Sequence, residues 1–366
     1  MPAVPPPAKV LVTGASGFIA AWVVKTLLEK GYVVVGTVRS DSKGKYLQNL
    51  FKDHGDRFSY VIVEDIAKEG AFDKAVVGVD AVQHTASPFH FKADDPQGIS
   101  GRFNPILCIR ADLVSSPELI EPAVKGTVGV LESIKKCAPG VKRVVITSSV
   151  AAIVYNKGRE GVSYDESDWN TESPKEVEEK GQNATAIHKY RASKVLAERA
   201  AWDFVEKNRD SVAFDLVTVN PPMVWGPIIH EVASVDQLNT SIANFHHYTS
   251  NKTNPPLTEE QRKASYGNWC DVRDVAFVHV EALSLPPAGG ERFIVGSGGF
   301  TVQDILDALH ASGEYPDVPK GTPRAAKDTV HNVYISGKAE KAFGFKLRTM
   351  ADTVPETFAA LKKRGF

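Results

Sequence analysis

Lys9-Val10-Leu11-Val12-Thr13-Gly14-Ala15-Ser16-Gly17-Phe18-Ile19-Ala20 runs from a β-branched stretch, through a glycine turn, into a helical pattern that lasts to Lys30 and stops at Gly31. A strand that turns at glycines straight into a helix is the context a dinucleotide-binding fingerprint requires. Gly14 permits the tight turn. Gly17 lets the backbone approach a pyrophosphate at the helix N-terminus, where free N–H groups and the helix dipole favour an anion. Ala20 is small enough for the helix to lie close to the strand. Gly14, Ala15, Ser16, Gly17, Phe18 and Ile19 are therefore the first candidate cofactor contacts. An ordinary glycine-rich turn is the plainer alternative.

Outward from this turn, short apolar runs alternate with helical stretches. Strands are expected at 9–13, 32–39, 58–63, 81–85, 143–148 and 215–220, and helices at 18–30, 117–137 and 187–207. Continuous apolar runs of this kind suit a parallel sheet covered on both faces. The βαβα order implies right-handed crossovers. The fold class is α/β, a doubly wound parallel sheet of the Rossmann type with a smaller C-terminal α/β substrate lobe. The expected division is a Pro-rich tail at 1–8, a Rossmann NADP-binding domain at 9–222, and a lobe at 223–366 that contributes interleaved pieces to the first. In that lobe a helix begins near Asp271, a strand lies at 292–295 and a helix at 302–309.

At 366 residues the chain can bury one large core, or a large and a small lobe. A net charge of −1 makes no electrostatic case for nucleic acid or an anionic membrane. No apolar run approaches the roughly 18–20 residues of a membrane span. Met1-Pro-Ala-Val-Pro-Pro-Pro-Ala8 has neither a basic region nor an apolar core, so it reads as a stiff tail and not a signal peptide. Cys108, Cys137 and Cys270 lack metal-ligand spacing, which fits a reduced compartment and no metal. The sequons at Asn183, Asn239 and Asn251 are then accidental. The expectation is a cytoplasmic monomer or homodimer acting on a small molecule.

The end of the second strand chooses between nicotinamide cofactors. An acidic residue there would hold the 2′-hydroxyl of NAD. Here Gly36-Thr37-Val38-Arg39-Ser40 ends in a guanidinium that suits a 2′-phosphate, and Lys43 adds a second positive charge. Asp41 lies beyond the strand end. The expected cofactor is NADP(H). The alternative is a pair of solvated cations.

The chemistry is carried by Tyr190-Arg191-Ala192-Ser193-Lys194 and by Thr147-Ser148-Ser149 upstream. Residues four apart share a helix face, so Tyr190 and Lys194 present a phenol and an ammonium to one spot. A free phenol titrates near pH ~10, and a neighbouring cation favours phenolate. That suits proton exchange with a carbonyl oxygen while hydride moves. The spacing also occurs at Tyr248/Lys252, which reads as a loop, and at Tyr334/Lys338, which carries a glycine between. Only Tyr190 opens a sustained helical pattern.

Together these residues resemble the extended short-chain dehydrogenase/reductases, an NAD(P)-dependent epimerase/dehydratase-like superfamily. Within it they are most similar to fungal NADPH-dependent aldehyde, ketone and methylglyoxal reductases and to dihydroflavonol reductase-like enzymes. Beyond the turn and the Tyr190/Lys194 pair, the resemblance rests on Glu64-Asp65-Ile66, His84-Thr85-Ala86-Ser87-Pro88-Phe89, Val144–Ser149, Asn220-Pro221-Pro222, Leu238-Asn239-Thr240-Ser241 and Asp271-Val272-Arg273-Asp274-Val275. It implies that Asp65 and Ile66 hold the adenine and that Thr85, Ala86 and Ser87 line the path to the nicotinamide. It implies Ser149 as the catalytic serine on the substrate carbonyl and Tyr190 as proton donor. Lys194 would contact the nicotinamide ribose and lower the phenol's pKa. Pro221 and Val224 would pass close to the nicotinamide, and Ser241 would reach the cofactor phosphates. Plainer roles exist: Ser148 and Ser149 capping a turn, Asp65 starting one, Thr240 and Ser241 capping a helix. Asp271–Asp274 reads as packing.

One departure from the family pattern is about twenty extra residues, Gly98 to roughly Pro117, between Asp94-Asp95-Pro96-Gln97 and Glu118-Leu119-Ile120. They read as a substrate lid or as an artefact of coding-sequence assembly, and as dispensable either way. By position, Phe89, Val150, Ile187, Met223 and Trp225 line the substrate pocket, unless they are ordinary core. All are apolar, which favours a hydrophobic, secondary-metabolite-type carbonyl compound. The expected activity is NADPH-dependent carbonyl reduction. The competing readings are an NAD-dependent epimerase or dehydratase, a 3β-hydroxysteroid-type dehydrogenase, and a non-catalytic nucleotide sensor.

Overall fold

The computed structural model describes residues 3–87, 116–250 and 256–366. The chain opens with β1 (Lys9–Thr13), α1 (Phe18–Glu29), β2 (Val33–Val38), α2 (Asp41–Leu50), β3 (Phe58–Ile62) and β4 (Ala81–His84). It continues with α3 (Ser116–Cys137), β5 (Arg143–Thr147), β6 (Ser163–Tyr164), α4 (Glu172–Lys180), α5 (Ala186–Lys207), β7 (Asp215–Asn220) and β8 (Met223–Trp225). The remainder comprises α6 (Thr240–Thr249), α7 (Glu259–Lys263), β9 (Asn268–Asp271), α8 (Val272–Ser284), β10 (Arg292–Ile294), β11 (Gly298–Gly299), α9 (Val302–Ala311), β12 (Val333–Tyr334), α10 (Gly337–Phe343) and α11 (Met350–Lys363).

The central sheet is parallel throughout, in the order β10-β7-β5-β4-β1-β2-β3 among the described residues. The chain winds outward from β1 to β3, then returns to β4 on the other side of β1. Strand order therefore reverses between β1 and β4, and a crevice opens at their carboxyl ends. Alternate residues of β1 feed two cores. Val10 and Val12 join Val24, Leu27, Val275 and Val278 on one face, and Leu11 joins Val82, Ile134 and Val144 on the other. That two-residue alternation is why the strand reads as a continuous apolar run.

The C-terminal region supplies β10, which extends the main sheet beside β7. Arg143 on β5 is fully buried, pairs with Asp215 at 2.7 Å, and donates to the Leu285 carbonyl at 2.6 Å, so it fastens the end of α8 to the sheet. Asp271 caps α8 through the Arg273 N–H and accepts from Thr353 at 2.7 Å, a packing role. Two expectations need correction. Tyr248 is not in a loop but buried near the end of α6, and Lys252 lies outside the described residues. Trp225 does not line a cleft. It is fully buried, stacked on Trp269 at 5.2 Å and edge-on to Phe300 at 4.6 Å, so it packs the lobe core. Phe89 and the extra segment, apart from Ser116 and Pro117 in α3, lie outside the described residues.

Three buried histidines should make the fold acid-sensitive. Burial pushes His84 down to about 4, and His230 and His279 down to about 3. Above pH ~6.5 both folded and unfolded chains hold them neutral. As pH falls below that, the unfolded chain takes protons that the folded chain refuses until about 4 or 3, so stability is lost on acidification. Each histidine should cost about 2 kcal/mol at pH 5. Thermal unfolding should show a midpoint clearly lower at pH 5 than at pH 7, with the drop reduced in His279→Gln. A midpoint that is flat over this range would contradict the burial argument.

Candidate active site

The glycine turn is built by close approach. Gly14 has φ 64°, and a Cβ there would sit 3.0 Å from the Ala86 Cα, so strain and space both exclude a side chain. Gly36 on β2 has the same role from below, since a Cβ there would meet the Ala15 methyl at 2.7 Å. Thr37 holds the turn: its Oγ1 accepts the Gly14 N–H at 3.0 Å and its carbonyl accepts the Ala15 N–H at 2.8 Å. Thr13 Oγ1 accepts the N–H groups of Thr85 and Ala86, each at 3.1 Å, which pins the end of β4 beside the turn. Gly17 then starts α1 with no side chain capping it, so the helix N-terminus keeps its anion-binding character at the crevice. Ser16 and Ile19 are half-buried, whereas Phe18 is buried with its ring 5.5 Å from that of His230.

At the far end of the crevice, Arg39 is exposed just past β2, and Lys43 lies in the first turn of α2. The Asp41 carboxylate is engaged by Tyr60 at 2.6 Å and Lys45 at 2.7 Å, so it is committed elsewhere. Lys43 pairs with Glu231 at 2.8 Å, a contact from a distant loop that sequence spacing could not reveal. Asp65 starts a turn, its Oδ1 accepting the Ala67 N–H at 2.9 Å. Ile66 lies against α3, where a Cβ on Gly126 would come within 3.1 Å of it.

On α5, Thr185 caps the N-terminus and Tyr190 and Lys194 follow one turn apart. The Lys194 Nζ lies 5.9 Å from the Tyr190 ring centre and donates to Ser87 Oγ at 3.1 Å. The Ser149 side chain hydrogen-bonds the Tyr190 phenol. Ser149 Oγ also accepts the Ala151 N–H at 3.1 Å, so it caps its turn and faces the phenol at once. Ser148 points away, donating to Glu198 at 2.5 Å. Ser87, Ser149, Tyr190 and Lys194 therefore converge from β4, β5 and α5.

Burial decides the electrostatics. It pushes the Tyr190 phenol up, against the Ser149 hydrogen bond and the Arg191 charge, which pull it down. Sequence spacing suggested a phenol lowered by Lys194; in the free protein burial outweighs any such pull, and the cation acting on the phenol is Arg191. Lys194 itself is pushed down to about 8 by burial. A phenol that keeps its proton, next to a serine hydroxyl and a lysine, can protonate an oxygen that gains charge nearby.

The remaining candidates spread around this point. Val150 follows Ser149 directly, and its N–H donates to the Pro221 carbonyl at 3.1 Å. Ile187 opens α5, and Met223 and Val224 lie on β8, with Val150, Ile187 and Met223 partly exposed. Ser241 sits in the first turn of α6, where no side chain caps the helix. Sequence reasoning passed over Thr13, Thr37, Glu198 and Arg292. Only Glu198 carried a signal, eight residues past Tyr190 on the same helix face.

The sequence matches the NAD dependent epimerase/dehydratase family over residues 10–98 and 106–296, with the break inside the extra segment. It is 37% identical to the ketoreductase azaE of Aspergillus niger, over 98% of this chain and 98% of that protein. It is 35% identical to the NADPH-dependent methylglyoxal reductase GRE2 of Saccharomyces cerevisiae, over 97% of this chain and 98% of that one. The crystal structure of yeast methylglyoxal/isovaleraldehyde reductase Gre2 complexed with NADPH superposes with a TM-score of 0.80 at 35% identity, covering 98% of this chain and 99% of that one.

Proposed function

The chain belongs to the NAD dependent epimerase/dehydratase family, and within it we propose an NADPH-dependent carbonyl reductase that reduces an aldehyde or ketone, reversibly, to the alcohol. The observation that carries the reading is the meeting of Ser149, Tyr190 and Lys194 beside a turn that has no room for a Cβ. The crevice fits the cofactor: a backbone cradle at Gly14, an uncapped helix start at Gly17, and Arg39 with Lys43 at the 2′-phosphate end. NADPH, when bound, supplies the hydride. Ser149 and Tyr190 donate to the carbonyl oxygen, and the Tyr190 proton passes to that oxygen as it becomes alkoxide. Lys194 holds positive charge next to the phenol and orients the ribose side of the crevice. Apolar Val150, Ile187 and Met223 favour a hydrophobic carbonyl compound.

A panel of 2-oxoaldehydes, aromatic aldehydes, β-ketoesters and polyketide-like ketones, assayed for NADPH consumption, tests the reading. Turnover of none, with NAD retained through purification, would favour an epimerase-like enzyme instead. Arg39→Ala should raise the KM for NADPH by about 10–100-fold and leave NADH kinetics nearly unchanged, since only the former presents a 2′-phosphate. Equal catalytic efficiency with NADH and NADPH in the unaltered protein would remove Arg39 from that role. No helix among the described residues is long and apolar enough to cross a membrane. A cytoplasmic monomer or homodimer, independent of nucleic acid, completes the proposal.

A further inference from the structure

Glu198 lies on α5, four residues beyond Lys194, and its side chain is completely buried. Its Oε2 accepts from Ser148 Oγ at 2.5 Å and from Asn220 Nδ2 at 2.9 Å. Its Oε1 accepts from Arg292 Nε at 2.6 Å, with Thr218 Oγ1 at 3.2 Å. Arg292 comes from the edge strand β10, lies over the Trp169 ring at 3.8 Å, and donates to the Asp168 carbonyl at 2.9 Å. Asn220 Nδ2 also donates to the Ser149 carbonyl at 3.2 Å. One carboxylate on the helix that bears Tyr190 thus grips both sides of Ser149: the preceding residue directly, and the Ser149 backbone through Asn220.

We propose that Glu198 is a positioning residue that sets the distance between the Ser149 hydroxyl and the Tyr190 phenol. This rests on the reading that those two groups bind the substrate carbonyl. Serine and tyrosine sit on different elements, a strand end and a helix, and nothing local to either sequence fixes their separation. The Glu198 carboxylate spans the two elements, and Arg292 Nε holds it in place at 2.6 Å. Misplacement of a reacting group by about 1 Å is worth about 10²-fold in rate.

The test is a double-mutant cycle on the full-length protein, with kcat and the NADPH dissociation constant, read by cofactor fluorescence, measured together. Glu198→Gln should lower kcat by about 10–100-fold with the dissociation constant within about threefold of the parent. In a Ser149→Ala background the same substitution should lower kcat by less than about threefold, because there is no longer a hydroxyl to position. Equal losses in both backgrounds would overturn the proposal, as would an unchanged kcat in Glu198→Gln. A variant that leaves Arg292 buried without its full counter-charge risks misfolding. Ser148→Ala keeps that ion pair and carries the same cycle, with a smaller expected loss and the same pattern. A Ser149→Ala protein with full activity would instead remove the serine's assigned role, and the proposal with it.

Discussion

Tyr190→Phe should lower kcat by about 10²–10⁴-fold and leave NADPH affinity within a fewfold of the parent. The substitution removes one oxygen and keeps the ring, so the packing of α5 and the Lys194 contact 5.9 Å from the ring centre are retained. What goes is the proposed proton donor and the partner of the Ser149 hydroxyl. Burial holds the phenol's pKa above its ordinary value in the free protein, so the group is protonated and ready to act as an acid at neutral pH. Its loss corresponds to about 3–5 kcal/mol of transition-state stabilisation. Single-turnover reduction, paired with fluorescence titration of the cofactor, separates the two effects. Near-parental turnover would refute the assignment.

Lys194→Met should act in two opposite directions. Activity should fall by about 10²–10³-fold, because the cation beside the phenol and its bond to Ser87 are both lost. Stability at pH 7 should rise. Burial pushes the lysine down from 10.5 to about 8, so below pH 8 the folded state carries a charge it disfavours. Between about 8 and 10.5 the unfolded chain binds the extra proton, so parental stability climbs with pH across that window. Removing the amine should relieve up to about 3 kcal/mol at pH 7 and flatten that climb. A higher melting temperature together with a crippled enzyme would mark a group kept for function at the expense of stability. Parallel losses of both would mean that the side chain is structural.

The glycine turn, the strand series and the helix over 186–207 were legible because turn chemistry and hydrophobic period are local properties. The order glycine turn, Arg39, Ser149, Tyr190, Lys194 followed from reading those elements in sequence. The three Tyr-x-x-x-Lys spacings show where such reading stops. Tyr334 lies on β12 beside β6, with Lys338 turned to Glu291 at 2.6 Å, and Tyr248 is buried in α6. Nothing in the spacing itself separates these from Tyr190.

Trp225 illustrates the same limit for substrate residues. An apolar side chain near a site looks alike in sequence whether it lines a cleft or fills a core, and only its neighbours Trp269 and Phe300 place it in the core. Lys43 reads from sequence as a free cation for a 2′-phosphate, whereas its partner Glu231 comes from a loop far along the chain that spacing does not reveal.

Residue types and local order therefore specified the fold class, and they picked out the glycine turn and the side chains we propose as the reacting groups, since each depends on chemistry within a turn or two of the chain. The direction of the Tyr190 and Lys194 pKa shifts, and the bonding of Glu198 to Ser148 and Arg292, came from elsewhere. Burial and long-range pairing depend on which distant segments pack together, and β10 brings Arg292 to Glu198 across 94 positions of sequence.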